Sequence, residues 1–182
     1  DLLINNAGIA SAPNGRTLSE DGHELIFQVN HLSHFLLTRM LLPRLIESAP
    51  ARIVNVSSSS HRRARLNFDN LQFQRRYGGY RAYAQSKLAN VLFSYELARR
   101  LDGSGVTVNV LHPGLVATNF LSNNGMLGQF LCFFMGLRGM SAAKGALTSI
   151  YLAGSAEVDG VTGRYFEKSR EARSAPTSYD QS

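Results

Sequence analysis

The chain has 182 residues, is 44% hydrophobic, and sets 19 basic against 13 acidic residues for a net charge of +6. That is one domain's length with enough apolar side chains for a sizeable core, and it holds no internal repeat or low-complexity block. A lone cysteine, Cys132, excludes an internal disulfide; set among Phe130, Leu131, Phe133 and Phe134, it reads as a small buried hydrophobe in a reducing compartment.

In chain order, Leu2 to Ile4 is a short apolar run of the kind buried in a parallel strand, and Asn5-Asn6-Ala7-Gly8 follows as a turn. Gly22 to Ile46 is amphipathic and helical in period, with Asn30 inside an apolar stretch where asparagine is a poor helix former. Its amide is either turned to backbone or solvent, or put to use. A strand over Arg52 to Val56 ends in Ser57 to Ser60, a run that serves as a cap or turn and also offers hydroxyls to a site. Residues 61–81 form a basic loop with Arg62, Arg63, Arg65, Arg75, Arg76 and Arg81 among Phe68, Phe73, Tyr77 and Tyr80. It reads as a solvated connection first; arginine among aromatics also suits nucleic acid, and an anionic membrane surface would attract it. No nucleic-acid partner is expected.

Arg81 to Leu101 reads as a helix, with Tyr83, Lys87, Val91, Tyr95 and Leu101 near one side. A strand over Val106 to Leu111 then runs into His112-Pro113-Gly114, a turn pair. The apolar patch Met126 to Met140 is broken by Gly128, Gln129, Gly136, Arg138 and Gly139, too short and interrupted to span a membrane. His23, His31, His34, His61 and His112 show no metal-ligand spacing, so no metal is expected, and no Gly-x-Ser-x-Gly supports a serine hydrolase. Strand-then-helix alternation predicts an α/β fold with a parallel sheet.

Tyr83 and Lys87 carry the chemistry. Four apart on a helix, they can enter one site. A free phenol titrates near about 10, too high for acid–base work at neutral pH. A neighbouring cation favours the phenolate, and lowering it to about 7 requires roughly 4 kcal/mol of differential stabilisation. A lysine together with a positive cofactor ring can supply that. The same spacing also describes a core tyrosine beside a solvated lysine, so the order of the other pieces matters.

Asn-Asn-Ala-Gly at 5 to 8, Asn30, Ser57-Ser58, Tyr-x-x-x-Lys at 83 to 87 and Pro-Gly-x-Val-x-Thr at 113 to 118 stand in the order and at the strand and helix ends that resemble the short-chain dehydrogenase/reductase family. The resemblance runs from Asp1 to about Phe166. The wording of Ile53-Val-Asn-Val-Ser-Ser58, Ser86-Lys-Leu-Ala-Asn-Val-Leu-Phe93 and Gly163-Arg-Tyr-Phe166 is similar to its retinol dehydrogenase-like branch.

The resemblance implies a Rossmann-like doubly wound parallel sheet. This chain is its C-terminal part, truncated: a single partial NAD(P)-binding catalytic domain over residues 1–182. It implies Tyr83 as acid–base, Lys87 as the group that tunes Tyr83 and holds the nicotinamide ribose, and Ser58 as the hydroxyl that positions the substrate oxygen. By spacing alone, Ser57, Ser59 and Ser60 are alternatives to Ser58. It implies that Asn30 holds a water linking Lys87 to solvent. Asn5, Ala7 and Gly8 would line the adenosine side, with Asn6 as readily a brace between strands. Pro113, Gly114, Val116 and Thr118 would pass the nicotinamide. Residues 119–140 would be a lid over the substrate, with an ordinary packing helix or a membrane contact as the other readings.

The implied activity is hydride transfer between an alcohol and a carbonyl on a small apolar substrate, such as a retinoid, steroid or lipid aldehyde, with NADP or alternatively NAD. A catalytically silent fragment or scaffold that binds no cofactor is the rival. The family's glycine-rich phosphate loop has no counterpart here, so the chain reads as a fragment that has lost the first strands and a C-terminal helix, leaving a sheet edge and face uncovered. Self-association, a peripheral membrane contact, and a cytoplasmic or cytosolic-membrane location complete the expectations.

Overall fold

The computed structural model describes residues 1–10, 15–114 and 141–179. Strand β1 (Leu2–Asn5) is followed by one α-helical turn, α1 (Leu25–Phe27), a π-helical segment (Gln28–Leu32) and helix α2 (Ser33–Glu47). Strand β2 (Ala51–Val56), 3₁₀ turns at Ser59–Arg63 and Phe68–Asn70, helix α3 (Gly79–Arg100) and strand β3 (Val106–His112) come next. Helix α4 (Ala142–Gly154) precedes the short strands β4 (Tyr165–Glu167) and β5 (Arg170–Ala172), and a 3₁₀ turn at Pro176–Ser178 closes the described chain.

The sheet order is β1-β2-β3-β4-β5, with β1 to β4 parallel and β5 antiparallel to β4. Near-continuous apolar sequence makes β2 and β3 central, because both of their faces are covered. On one face Leu3, Ile53 and Val108 pack with Leu45 of α2 and Leu97, Ala98 and Leu101 at the α3 end. On the other, Val54, Val56 and Leu111 meet Leu152 of α4, Val158 and Phe166. Each fully buried aliphatic side chain here contributes about 1.5–3 kcal/mol. Arg52 departs from the apolar pattern for a local reason. Its guanidinium donates to the Leu152 and Ser155 carbonyls at the end of α4, both at 3.0 Å, and pairs with Asp159. A cation at a helix C-terminus satisfies carbonyls the helix cannot.

The parallel sheet matches the sequence expectation. The β4–β5 hairpin does not follow from it: Arg170-Glu-Ala172 carries too little apolar pattern to announce a strand. Its two-residue turn puts Lys168 and Ser169 at φ of 51° and 57°, the left-handed conformation such tight hairpins require. The first helix also differs. Gly22 to Ile46 reads as one amphipathic stretch, but the backbone widens at Gln28–Leu32, where the Ser33 N–H bonds to the Gln28 carbonyl, five residues back. β1 lies at the sheet's open side, with Leu2 and Ile4 47% and 39% exposed.

Candidate active site

The C-terminal ends of β1 and β2, the π segment and the first turns of α3 converge. Parallel strands deliver their carboxyl ends to one edge, where α/β proteins bind ligands. Gly8 lies so close there that a Cβ would sit 3.2 Å from Asn30 Oδ1 and 3.3 Å from Lys87 Nζ.

Lys87 is buried, and its ammonium donates to the Val56 carbonyl at 3.1 Å. Burial lowers its pKa to about 8. Nζ stands 5.9 Å from the centroid of the Tyr83 ring, and the Tyr83 hydroxyl is hydrogen-bonded with Ser58. Burial raises the Tyr83 pKa above its ordinary value, the Ser58 bond works against that, and Tyr80 adds to the rise. The lowering by Lys87 that the helical spacing suggests is therefore not what governs Tyr83 in this structure.

The serine run sorts itself by geometry. Ser57 is buried and spends its hydroxyl on the Lys87 carbonyl at 2.7 Å. Ser58 faces Tyr83 and also accepts from the Ser60 N–H at 3.3 Å, so it is a cap as well as a site hydroxyl.

Asn30 is fully buried in the π segment, a backbone irregularity that often marks functional sites. Its Oδ1 accepts from the Ile9 N–H at 2.8 Å, and its Nδ2 donates to the Ile9 carbonyl at 2.8 Å and to Ser86 Oγ at 3.0 Å. Its main-chain carbonyl accepts from Asn90 Nδ2 at 2.8 Å. The amide thus clamps the turn after β1 against α3.

Asn5 is buried and donates to Thr38 Oγ1 at 2.9 Å and to Asn55 Oδ1 at 2.7 Å, so its amide braces β1, β2 and α2. Ala7 is exposed and Gly8 half-buried. Pro113 and Gly114 follow β3, and Gly114 has φ +90°, a conformation that excludes most side chains. Val116, Thr118 and the candidate lid at 119–140 lie outside the described residues.

Sequence reasoning missed a polar path behind the site. Asn55 Nδ2 donates to Ser94 Oγ at 2.8 Å, and Ser94 donates to the Asn90 carbonyl at 2.6 Å. Asn90 Nδ2 also reaches the Val56 carbonyl at 3.4 Å. Its signal was present as polar residues at 86, 87, 90 and 94 on one buried stripe of α3. His34, one turn beyond Asn30, is likewise buried, and among the described residues neither ring nitrogen makes a hydrogen bond of good geometry. Burial first, then the Lys87 charge, hold its pKa near about 4, so it is neutral at physiological pH; the nearby Ala7 and Asn30 backbones pull weakly the other way.

The basic loop is partly committed. Arg62 pairs with Glu167 at 2.9 Å and donates to the Arg173 carbonyl at 2.9 Å, and Arg81 donates to the Arg76 carbonyl. No group of three or more His, Cys, Asp or Glu among the described residues is placed to hold a metal ion.

Residues 1–126 match the sequence profile of the short chain dehydrogenases. The chain belongs to the short-chain dehydrogenase family. It is 47% identical over 192 residues to retinol dehydrogenase 14 of Homo sapiens, covering 100% of this chain and 54% of that protein. It is 46% identical over 187 residues to human retinol dehydrogenase 13, covering 100% of this chain and 56% of that one. The chain therefore spans about half the length of the curated relatives it matches. Among solved structures, an uncharacterized protein from Mycobacterium Paratuberculosis superposes with a TM-score of 0.70 at 32% identity, covering 99% of this chain and 61% of that one. Short-chain dehydrogenases are NAD(P)-dependent alcohol–carbonyl oxidoreductases built on a Rossmann-like sheet, and this chain has that sheet's partly parallel arrangement.

Proposed function

We propose that the whole protein interconverts an apolar alcohol and its carbonyl, of retinoid, steroid or lipid type, with NADP as the preferred cofactor. The observation that carries this reading is the Ser58–Tyr83 hydrogen bond beside a buried lysine 5.9 Å from the phenol ring. The resemblance to retinol dehydrogenases supports the substrate class.

The residues present fit a nicotinamide nucleotide. Gly8, with no side chain, keeps the approach to Asn30 Oδ1 and Lys87 Nζ clear, where a Cβ would stand 3.2 and 3.3 Å from them. An ammonium has three N–H donors, and the Val56 carbonyl at 3.1 Å takes one, so Lys87 keeps donor capacity for a ribose hydroxyl. Ala7 and Gly8 would wall the adenosine side and Pro113 and Gly114 the nicotinamide end. Bound there, the nicotinamide supplies or accepts hydride.

The protein's own part is proton transfer and orientation. Ser58 holds the substrate oxygen. Tyr83, neutral at physiological pH because burial favours the uncharged phenol, donates its proton to that oxygen as the carbonyl is reduced. Oxidation runs the same transfer backwards and needs the phenolate, which cationic neighbours favour. No helix among the described residues is long and apolar enough to cross a membrane. A cytoplasmic or cytosolic-membrane location belongs to the same proposal, with the basic face at 61–81 as the side turned to anionic lipid.

The test is Tyr83→Phe in the whole protein with NADPH and retinaldehyde. Phenylalanine keeps the ring and deletes the acidic oxygen. We expect turnover to fall by about 10²-fold or more with cofactor affinity retained. Activity within a few-fold of the parent would exclude Tyr83 as the acid.

A further inference from the structure

His61 has no exposed surface and lies three residues beyond Ser58, on the 3₁₀ turn Ser59–Arg63. It belongs neither to the site's polar path nor to the basic surface. Its Nε2 accepts the Ala175 N–H at 3.0 Å, across 114 residues of chain. An imidazole nitrogen that accepts has no proton, so the proton is on Nδ1, which donates to the Ser58 carbonyl at 2.6 Å. That carbonyl also takes the His61 N–H at 3.1 Å. The ring packs on Tyr165 at 5.0 Å between centroids.

Burial, the largest influence, lowers the His61 pKa; the Ser58 carbonyl and Glu167 raise it, and Arg62 lowers it. The neutral form that both bonds require is the one favoured. Arg62 reinforces the link from the same turn through Glu167 and the Arg173 carbonyl. The far end is itself anchored to α3. Ser174 Oγ lies 2.7 Å from the Tyr95 hydroxyl and 2.6 Å from Ser178 Oγ, and its N–H bonds to the Tyr179 hydroxyl at 3.1 Å.

We propose that His61 is a positioning residue that couples the strap at residues 173–179 to Ser58, so that the strap holds the Ser58 hydroxyl against Tyr83. This rests on the reading of Ser58 and Tyr83 as the reacting pair. Ser57 is tied into β3 through the Leu111 carbonyl, whereas from Ser58 onward the chain leaves the sheet.

Two variants attack the clamp from opposite ends in the whole protein. His61→Gln keeps an acceptor for the Ala175 N–H and loses the donor aimed at Ser58. Ala175→Pro removes the N–H at a residue whose φ of −60° already suits proline. With NADPH and retinaldehyde, each should lower kcat by about tenfold while the KM for NADPH stays within about twofold, as expected for a displaced reacting group. The double variant should be no worse than the worse single, because one linkage is broken twice. Amide exchange over residues 58–64 should speed up in both. A scaffold role alone would lower melting temperature without this kcat-only loss or the non-additivity.

Parental kcat in either folded variant, or additive losses in the double, overturns the proposal. If one variant fails to fold, the kcat of the other decides. A parent without turnover on apolar carbonyls overturns the underlying reading instead, and the positioning role with it. An active parent with an unaffected His61→Gln overturns the positioning role alone.

Discussion

Lys87 is buried, and that has a cost in stability. Its folded pKa of about 8 lies below the ordinary 10.5. Below about pH 8 both folded and unfolded chains carry the proton, so the full desolvation penalty is present. Between about pH 8 and about 10.5 the unfolded chain holds more protons, and stability rises with pH. Above that range the penalty is gone. Lys87→Met should therefore stabilise the fold at neutral pH by about 1–3 kcal/mol. It should also flatten the alkaline rise and remove turnover. The Val56 carbonyl keeps Asn90 as a donor, so the variant strands no buried acceptor. Urea denaturation at neutral and alkaline pH checks this, and a variant less stable than the parent at neutral pH would show that burial is not what shifts Lys87.

At the scale of elements, the π segment decides where Asn30 points. The family resemblance gives Asn30 a water-holding role, which suggests a variant that loses catalysis while keeping stability. The three bonds from its amide to Ile9 and Ser86 indicate a larger structural share. Asn30→Ala should cost about 2–4 kcal/mol, because the Ile9 N–H and carbonyl lose their partner in a part-buried place. A guanidinium titration showing under about 0.5 kcal/mol would reject the clamp. Such a role was not legible beforehand. A single residue's spacing says that an asparagine is out of place in an apolar helix, but not that the helix will widen around it. Tyr83 and Lys87 were legible because both lie on one regular helix, where a separation of four fixes a shared side. Asn90 and His61 were not, because their partners, the Val56 and Asn30 carbonyls and the Ala175 N–H, are brought close only by the tertiary fold.

For the whole molecule, the parallel sheet followed from the alternation of apolar runs and helices, while the short β4–β5 hairpin rests on tertiary support, including a Ser169 N–H bond to Thr148 Oγ1 at 3.1 Å. The open side of the sheet has a physical consequence. Leu2 and Ile4 share a face with Val54 and stay partly exposed, and α2 turns Leu36 and Met40 outward. An exposed edge strand with apolar side chains is a template for pairing. Residues 1–182 alone should sediment as a concentration-dependent mixture of species. Replacing Leu2 and Ile4 together by threonine, which keeps strand propensity, should shift the distribution towards monomer. A single monomeric boundary in the unaltered chain at all concentrations would contradict this.

The widened turn at Gln28–Leu32 also makes the chain's length, and not only its composition, part of what shapes the candidate site. An i→i+5 ring encloses one residue more than an α-helical ring. Removing one residue from the segment would let the ladder close as ordinary α-helix and leave α2 in nearly its present register. Most side chains of α2 would keep their surroundings. The amide that grips Ile9 would not, because its place depends on the widened ring. A one-residue deletion here should thus inactivate the protein where several substitutions in the same segment do not, which makes this stretch intolerant of insertions and deletions on a helix whose exposed side tolerates much else.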